Sequence, residues 1–253
     1  MRVAVTIKDV AREAHVSVAT VSRALNGHDN VAAAVRARVL QVAGTLRYSP
    51  HHAARSLSSR RTGTIGVVLP DLHGEFFSEL MRGIDLVARE RGLHLLVSSY
   101  HGNPVEQGTA MLAMRGRVDG LLVMSPSGPG AGDLDDPLQG LPSVLINTPA
   151  SVANTHGAIS VDNHGGALAM MQHLRAAGHA RIAFIAGPAD NFDARERRRG
   201  YLDASSADGS APWVVDGDFS ESSGCHAGEQ LLAATSRPDA VFAANDMMAL
   251  GCL

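Results

Sequence analysis

Apolar residues in the first fifty positions recur every three or four residues, the spacing of one helix face. Val10 and Ala14 share such a face in a first short helix. Ser17 can cap a second helix that ends at the C-cap pair Asn26–Gly27, and a third is predicted over about residues 32–46. The pattern therefore predicts three short helices at the start of the chain.

The pattern changes at Ile65, where short aliphatic runs begin to alternate with amphipathic helices. Nearly continuous apolar strands of this kind are typical of parallel sheets covered on both faces. The predicted strands are Ile65–Leu69, Leu93–Ser98, Gly120–Met124, Val144–Ile146, Ile159–Val161, Ile182–Ala186, Trp213–Val215 and Ala240–Ala243. The predicted helices cover about residues 75–91, 104–116, 164–177, 193–204 and 221–235. Because residues 159–162 and the helix after them restart the pattern, a boundary between two lobes is predicted near residue 161.

Charge divides the chain at nearly the same place as the pattern. Residues 1–62 contain 10 Lys or Arg and 3 Asp or Glu, whereas residues 63–253 contain 12 and 22, so the net charge of −3 conceals a basic end and an acidic body. Such asymmetry indicates a basic module fused to a globular domain. With 45% hydrophobic but only 4% aromatic residues, the core must be aliphatic.

Sequence features that would place the chain in or beyond a membrane are not found. No run approaches the roughly 18 apolar residues of a membrane span, and the first residues do not form a signal peptide. We therefore expect a soluble, cytoplasmic protein with no membrane partner. Cys225 and Cys252 form no disulfide framework, and they are expected to be small buried residues in a reducing compartment.

The basic module fits a helix-turn-helix over residues 6–27. Its second helix would present four residues outward as i,i+4 pairs, and these are the candidates for reading bases: Val18, Ala19, Ser22 and Arg23. Arg23 can pair with guanine through two hydrogen bonds, whereas Val18 and Ala19 can make only apolar contacts, such as with thymine methyl groups. The candidates for phosphate contacts are Thr6, Ser17, Thr20, Asn26 and Arg55. The alternative is a three-helix bundle with a solvated basic face.

Residues 6–27, TIKDVAREAHVSVATVSRALNG, together with LRYSP at residues 46–50, resemble the head-piece of the lactose-repressor (LacI–GalR) family of bacterial transcription regulators. One departure is the start of the third helix, where residues 31–34 (VAAA) replace the Ser or Thr cap that the family often has. The missing cap should cost about 0.5–2 kcal/mol of local stability.

Residues His51–Arg61 look like the family's hinge helix, and the resemblance implies that Leu57 is a wedge entering the minor groove at the operator centre. An apolar side chain in a basic helix suits the unstacking of a base step. A helix of about ten residues is marginal in water, so we expect it to form only when two chains pair on DNA. The alternative is an ordinary linker in which Leu57 has no such role.

Most of the remaining chain is similar to the family's sensor, which has a two-lobe periplasmic-binding-protein fold. Ligands of such folds bind in the cleft, at the carboxyl ends of strands from both lobes. Two motifs match the family's pattern: R-x-x-G-[FY] at residues 197–201 and N-D-x-x-A-x-G at residues 245–251. The resemblance and these strand ends give the candidate effector residues Phe76, Phe77, Asp162, Asp193, Arg197, Phe219, Asn245 and Asp246.

The mixture of acidic groups, Asn, Arg and aromatic rings suits a polyol, because carboxylates accept hydrogen bonds from pairs of hydroxyls and rings stack on sugar faces. The same set could hold a nucleobase, and Phe76 and Phe77 could instead both lie in the core. Gly74 and Glu75 replace the Asn and Pro that the family often has there. The sequence contains no Gly-x-Ser-x-Gly and no metal-ligand spacing of His or Cys, so no catalytic residues, metal or other cofactor are expected.

These features predict an α + α/β protein of four parts. They are a helix-turn-helix head-piece (1–49), a hinge helix and linker (50–62), the first lobe of a parallel-sheet sensor (63–160) and a second, incomplete lobe (161–253). The expected function is a homodimeric repressor of transcription that binds double-stranded operator DNA under control of a small effector, more readily a sugar than a nucleobase. The alternatives are a regulator that binds a nucleobase or other metabolite as corepressor, a solute-binding protein without regulation, and a doubly wound enzyme.

The family's pattern continues well beyond Leu253. We therefore expect a member truncated at its C-terminus, with an unfinished sheet edge in the second lobe that favours aggregation.

Overall fold

The computed structural model describes residues 5–48, 61–125, 138, 140–148, 156–207 and 209–253. The chain divides into two compact units, residues 1–62 and residues 63–253. Residues 51–60 of the predicted hinge helix, which include Arg55 and Leu57, lie outside the described residues.

Helices and strands follow the order that the sequence pattern predicts. The helices are α1 (Ile7–Glu13), α2 (Val18–Leu25), α3 (Ala33–Thr45), α4 (Glu75–Glu90), α5 (Pro104–Met114), α6 (Asn163–Ala176), α7 (Phe192–Ala207), α8 (Glu221–Ala233) and α9 (Asp246–Cys252). The strands are β1 (Thr64–Leu69), β2 (His94–Ser99), β3 (Gly120–Met124), β4 (Ser143–Ile146), β5 (Gly157–Ile159), β6 (Ile182–Ala186), β7 (Trp213–Asp216) and β8 (Ala240–Ala243). None of the described helices is both long and apolar enough to cross a membrane.

The first unit is a three-helix bundle around an aliphatic core. Its fully buried side chains include Val10, Val21 and Val39, one from each helix. The turn between α1 and α2 passes through His15, whose φ is +51°, and the amide of Val16 then donates to the carbonyl of Ala11. This tight connection sets α2 against α1, as a helix-turn-helix requires.

The start of α3 has no capping side chain. The N-cap residue is Ala32, which leaves the first amides of the helix without a side-chain acceptor. We expect Ala32→Ser to raise the free energy of unfolding of the first unit by about 1 kcal/mol. Urea denaturation followed by circular dichroism measures this. Ala34→Ser, within the first turn of the same helix, is the matched control, and an equal gain from both variants would contradict the capping explanation.

The second unit begins with a five-stranded sheet in the order β2-β1-β3-β4-β5, in which all neighbouring strands are parallel. Side chains on its two faces form separate aliphatic clusters. Val68 lies in the cluster that contains Tyr100, and Val67 lies in the cluster packed against Phe77 of α4. The buried hydroxyl of Tyr100 donates to the carbonyl of Met124 at 2.9 Å, and burial raises its pKa.

The second sheet of this unit has three parallel strands in the order β7-β6-β8. All residues of β6 are buried, and the ring of Phe184 stacks on Tyr201 of α7 with centroids 5.0 Å apart. The Tyr201 hydroxyl donates to the carbonyl of Ile182 and accepts from the amide of Trp213, both at 2.9 Å. These bonds fix α7 to the amino ends of β6 and β7.

Two expectations differ from the structure in detail. The strand predicted at 159–161 is found at Gly157–Ile159, where it pairs with β4, and Ile159 and Val161 are exposed. Cys225 is exposed and Cys252 is half-buried, so the prediction that both are buried was wrong. The reason is that Gly224, Ala227 and Gly228 occupy the inward face of α8, which turns Cys225 outward.

Candidate DNA-contact face and effector cleft

Helix α2 has one buried face and one exposed face. Val21 and Ala24 are buried, while Val18, Ala19 and Arg23 are exposed, with 40% of Val18 accessible. Ser22 is half-buried, and its hydroxyl lies 3.4 Å from the side-chain amide of Asn26, which donates to it. The structure thus places the candidate base-reading residues on one accessible surface.

Several candidate phosphate contacts take part in helix capping. The Ser17 hydroxyl accepts from the amide of Thr20 at 3.1 Å, and the two hydroxyls lie 2.9 Å apart. The hydroxyl and amide of Thr6 both donate to the Asp9 carboxylate, at 2.7 and 2.9 Å. The bond from the Thr6 hydroxyl is the main cause that lowers the pKa of Asp9. These side chains therefore order the two helix starts whether or not they also contact DNA.

In the second unit, the candidate effector residues follow the carboxyl ends of strands in both sheets. Phe76 and Phe77 follow β1, Asp193 and Arg197 follow β6, and the pair at residues 245–246 follows β8. In each sheet, two consecutive strands lie on opposite sides of a central strand, which makes a switch point beside β1 and beside β6. Ligands of open parallel sheets bind at such points.

Asp193 is the most buried of the candidates, with 6% of the residue exposed. Its carboxylate accepts hydrogen bonds from the side-chain amides of Asn147 at 3.1 Å and Asn163 at 2.8 Å. Burial raises the pKa of Asp193, and the charge of Arg197 and the two amide bonds oppose that rise. Arg197 and the two amides therefore stabilise the charged carboxylate, whereas its removal from water destabilises it.

Arg197 connects this carboxylate to the end of β8. Its Nε donates to Asn163 Oδ1 at 2.8 Å, and its Nη1 donates to the carbonyl of Ala244 at 2.6 Å. Burial lowers the pKa of Arg197, while the charges of Asp193 and Asp246 counteract the effect. One guanidinium thus interacts electrostatically with two carboxylates that come from different strand ends.

Phe219 and Asn245 also lie near the carboxyl ends of the strands in the second sheet. Phe219 has a φ of +73°, an unusual backbone conformation for this residue type. Its carbonyl accepts from the side-chain amide of Asn245 at 2.9 Å, and its ring lies directly over Gly187, where any Cβ would collide with it. Asn245 also caps α9 by accepting from the amide of Met248 at 3.0 Å.

The other candidates have more open surroundings. The ring of Phe76 is nearly half exposed and meets that of Phe77 edge to face at 5.2 Å, whereas Phe77 packs into the core. One predicted alternative, that both rings are in the core, thus applies only to Phe77. Asp162 is exposed and caps α6 through the amide of Gly165 at 2.8 Å. Asp246 is exposed at the first turn of α9.

Two residues at the centre of the network were not found from the sequence. Asn147 follows β4 in the first sheet, has a φ of +49° and is only 3% exposed. Its bond to Asp193 joins the first sheet to α7, and its Oδ1 accepts from the amide of Val161 at 3.3 Å. Asn163 is the first residue of α6. The position of Asn147 directly after the apolar strand β4 was the available signal.

The ends of the two sheets also come close together near the start of α4. A Cβ at Gly74 would lie 3.8 Å from Cγ of Met247, which is in ordinary van der Waals contact range. The two strand-end regions are therefore joined by the Asn147–Asp193 hydrogen bond and are close together at Gly74 and Met247. Among the described residues, no group of three potential metal ligands occurs.

A helix-turn-helix bundle followed by a unit of two parallel sheets, with polar residues converging between their carboxyl ends, is the architecture of a ligand-responsive DNA-binding transcription regulator.

Comparison with known families agrees with this class. Residues 6–51 match the model for bacterial regulatory proteins of the lacI family, and residues 62–253 match that for periplasmic binding proteins and the sugar binding domain of the LacI family. The chain therefore belongs to the LacI family.

Individual relatives match along almost the whole chain. Catabolite control protein A of Priestia megaterium is 35% identical over 98% of this chain and 76% of its own length. The transcriptional repressor CytR of Escherichia coli K12 is 35% identical over 99% of this chain and 74% of its own. The lac repressor dimer bound to operator and the anti-inducer ONPF superposes with a TM-score of 0.89 at 29% identity, covering 99% of this chain and 76% of that one.

Proposed function

We propose that this chain is a homodimeric, cytoplasmic repressor whose operator affinity is controlled by a sugar bound between the two sheets of the second unit. The observation that carries this proposal is the buried Asn147–Asp193–Arg197 network, which joins the two sheets at their carboxyl ends. The match to a family model described as a sugar binding domain supports the ligand class. The boundaries proposed are a head-piece at 1–49, a hinge at 50–62 and lobes at 63–160 and 161–253.

The chemistry of this edge suits a polyhydroxylated ligand. Asp193 and Asp246 supply carboxylate acceptors for pairs of hydroxyls, Arg197 supplies donors, and the rings of Phe76 and Phe219 supply apolar faces. Asp193 is already bonded to Asn147 of the opposite sheet. A hydroxyl that competes for this carboxylate would therefore act directly on a contact between the lobes.

An effector can control DNA binding if the two lobes adopt two alternative arrangements and the chain binds DNA with a different affinity in each. The effector can shift that balance only by the difference in its affinity for the two arrangements, and operator DNA must change effector affinity by the same factor. A coupling of about 1–3 kcal/mol corresponds to a change of roughly 5–150-fold in affinity.

Recognition of DNA is assigned to the exposed face of α2. Arg23 would pair with a guanine, Val18 and Ala19 would contact thymine methyls, and Ser22 would support these contacts from the same face. Two such helices in a dimer would read the half-sites of a pseudo-palindromic operator. Dimerisation is supported by the apolar side chains exposed on and beside α4 and on the edge strand β2, which are Leu72, Leu86, Val87 and Val97.

The function is tested by measuring operator binding with and without candidate effectors. Operator fragments are first selected from random duplexes with the full chain, and their affinity is then measured by fluorescence anisotropy in the presence of monosaccharides, disaccharides, nucleosides and nucleobases. We expect one sugar class to lower the affinity by about 5–150-fold.

Asp193→Ala should remove this response, while Asp190→Ala, a neighbouring carboxylate in the preceding loop, should keep it. A ligand response that only nucleobases produce would replace the sugar assignment. Failure to select any sequence from the random duplexes would contradict the regulatory function itself.

A further inference from the structure

Helices α8 and α9 approach each other so closely that their backbones touch. Gly224 lies against the backbone of Met248, and Gly251 lies against the backbone of Glu221, so a Cβ at either glycine would collide with these atoms. Larger residues would hold two helices about 8–10 Å apart between their axes. Because each helix has a glycine at this contact, no side chain keeps the two helix axes that far apart.

Both cysteines of the chain lie at this contact. Cys225 follows Gly224, and its amide nitrogen lies 2.9 Å from the place that a Cβ on Gly251 would occupy. Cys252 follows Gly251, and its Sγ lies 3.3 Å from the corresponding place on Gly228, less than one turn beyond Cys225. The two cysteine residues therefore flank the same backbone contact from opposite helices.

The two thiols also differ in access, and the charge of Cys225 acts on Cys252. Cys225 is exposed, whereas Cys252 is half-buried. Burial is the main cause that raises the pKa of Cys252, and the negative charge of a Cys225 thiolate raises it further. A solvent-borne oxidant thus meets Cys225 first, with Cys252 nearby as the second thiol.

We propose that Cys225 and Cys252 are a redox pair that a hydroperoxide converts into an intramolecular disulfide. The Cys225 thiolate attacks one peroxide oxygen, the O–O bond breaks, and Cys225 becomes a sulfenic acid as the other oxygen leaves as water or an alcohol. The Cys252 thiol then loses its proton and attacks the sulfenic sulfur, the S–O bond breaks, and the hydroxide leaves and takes up that proton as water. Two thiols are oxidised, and one peroxide is reduced by two electrons.

The disulfide would join the two helices that begin beside the effector cleft. Helix α8 begins two residues after Phe219, and α9 begins directly after Asn245. A covalent link between them would fix both side chains relative to each other, so the oxidised chain would bind effector with altered affinity. This consequence rests on the proposed function, whereas formation of the disulfide does not.

The test uses the full 253-residue chain, treated with hydrogen peroxide or, separately, with the thiol oxidant diamide. Remaining thiols are blocked with N-ethylmaleimide, and the digest is analysed by mass spectrometry without reduction. We expect a cross-linked peptide pair containing both cysteines, about 2 Da lighter than the sum of its parts. Because a cross-link constrains the unfolded chain, the thermal midpoint of the second unit should rise by about 5–10 °C and return on reduction.

Cys225→Ser and Cys252→Ser are the matched controls, and each should keep the unoxidised midpoint after diamide treatment. Three results would overturn the proposal: a Cys225 sulfinic acid beside an alkylated Cys252, a disulfide between two chains on a non-reducing gel, or no loss of free thiol. A disulfide that forms without changing effector affinity would leave the redox pair established and reject only its link to the cleft.

Discussion

Replacing Arg197 with Met should lower the free energy of unfolding of the second unit by about 3–5 kcal/mol at pH 7, because it leaves the buried Asp193 carboxylate without its opposite charge. The change also removes donors to Asn163 Oδ1 and to the carbonyl of Ala244. Since these groups join three strand ends, effector binding should be lost together with stability. Urea unfolding followed by circular dichroism measures the first effect, and calorimetric titration measures the second.

The loss of stability in Arg197→Met should depend on pH. The folded state already raises the pKa of Asp193, and removal of the Arg197 charge raises it further. Below the unfolded pKa of about 3.9 the carboxyl is neutral in both states, so the missing charge matters less. The difference between parent and variant should therefore increase as the pH rises through the raised pKa, and level off above it.

Arg198→Met is the matched control for this experiment. Arg198 is the next residue of α7 and is exposed, so its replacement should change stability by no more than about 0.5 kcal/mol and leave effector binding intact. Equal losses from both variants at all pH values would show that Arg197 acts only as part of a charged helix surface, and would contradict the buried network as the effector site.

Replacing Arg23 with Ala should cost about 1–3 kcal/mol of operator binding, or roughly 5–150-fold, and relax the preference at one base pair of each half-site. Arg23 is exposed on the accessible face of α2 and points away from the core formed by Val21 and Ala24. A contact to a base edge is lost only with the correct sequence, so the affinity for random DNA should fall much less. Selection from random duplexes with parent and variant measures both quantities.

Arg38→Ala separates this effect from a general loss of positive charge. Arg38 is exposed on α3, outside the predicted recognition helix. A phosphate contact weakens binding to all sequences and reduces the salt dependence of binding. If Arg23→Ala behaves like Arg38→Ala, with an unchanged sequence preference, the assignment of base reading to Arg23 is wrong.

The fold could be predicted from the sequence because its elements are encoded locally. The buried run at 182–186 has no polar interruption, and residues 6–27 carry both cap and turn signals. The bounds of β5 could not be predicted in the same way. Its residues Gly157–Ile159 are exposed, and it is a strand because its backbone pairs with β4, which lies more than ten positions away in the sequence.

The site was predicted less completely than the fold. Arg197 and Asn245 lie in motifs, so their positions could be inferred from the resemblance. Asn147 and Asn163 were missed because an amide side chain has no characteristic spacing, and its role depends on a partner 46 or 30 residues away. The structure also gives Asp162 and Ser17 capping roles in addition to the ligand contacts expected of them.

Because Trp213 lies beside Tyr201 at the second sheet, its fluorescence can follow the unfolding of that part of the molecule separately. Trp213 is the only tryptophan in the chain, and the three tyrosines are distributed as one in the three-helix bundle, one beside the first sheet and one beside the second. Tryptophan emission thus reports only the melting of the second sheet and its helices, whereas far-ultraviolet ellipticity reports all parts. Divergence between the two signals on heating would reveal that the second sheet and its helices unfold in a step separate from the rest of the chain.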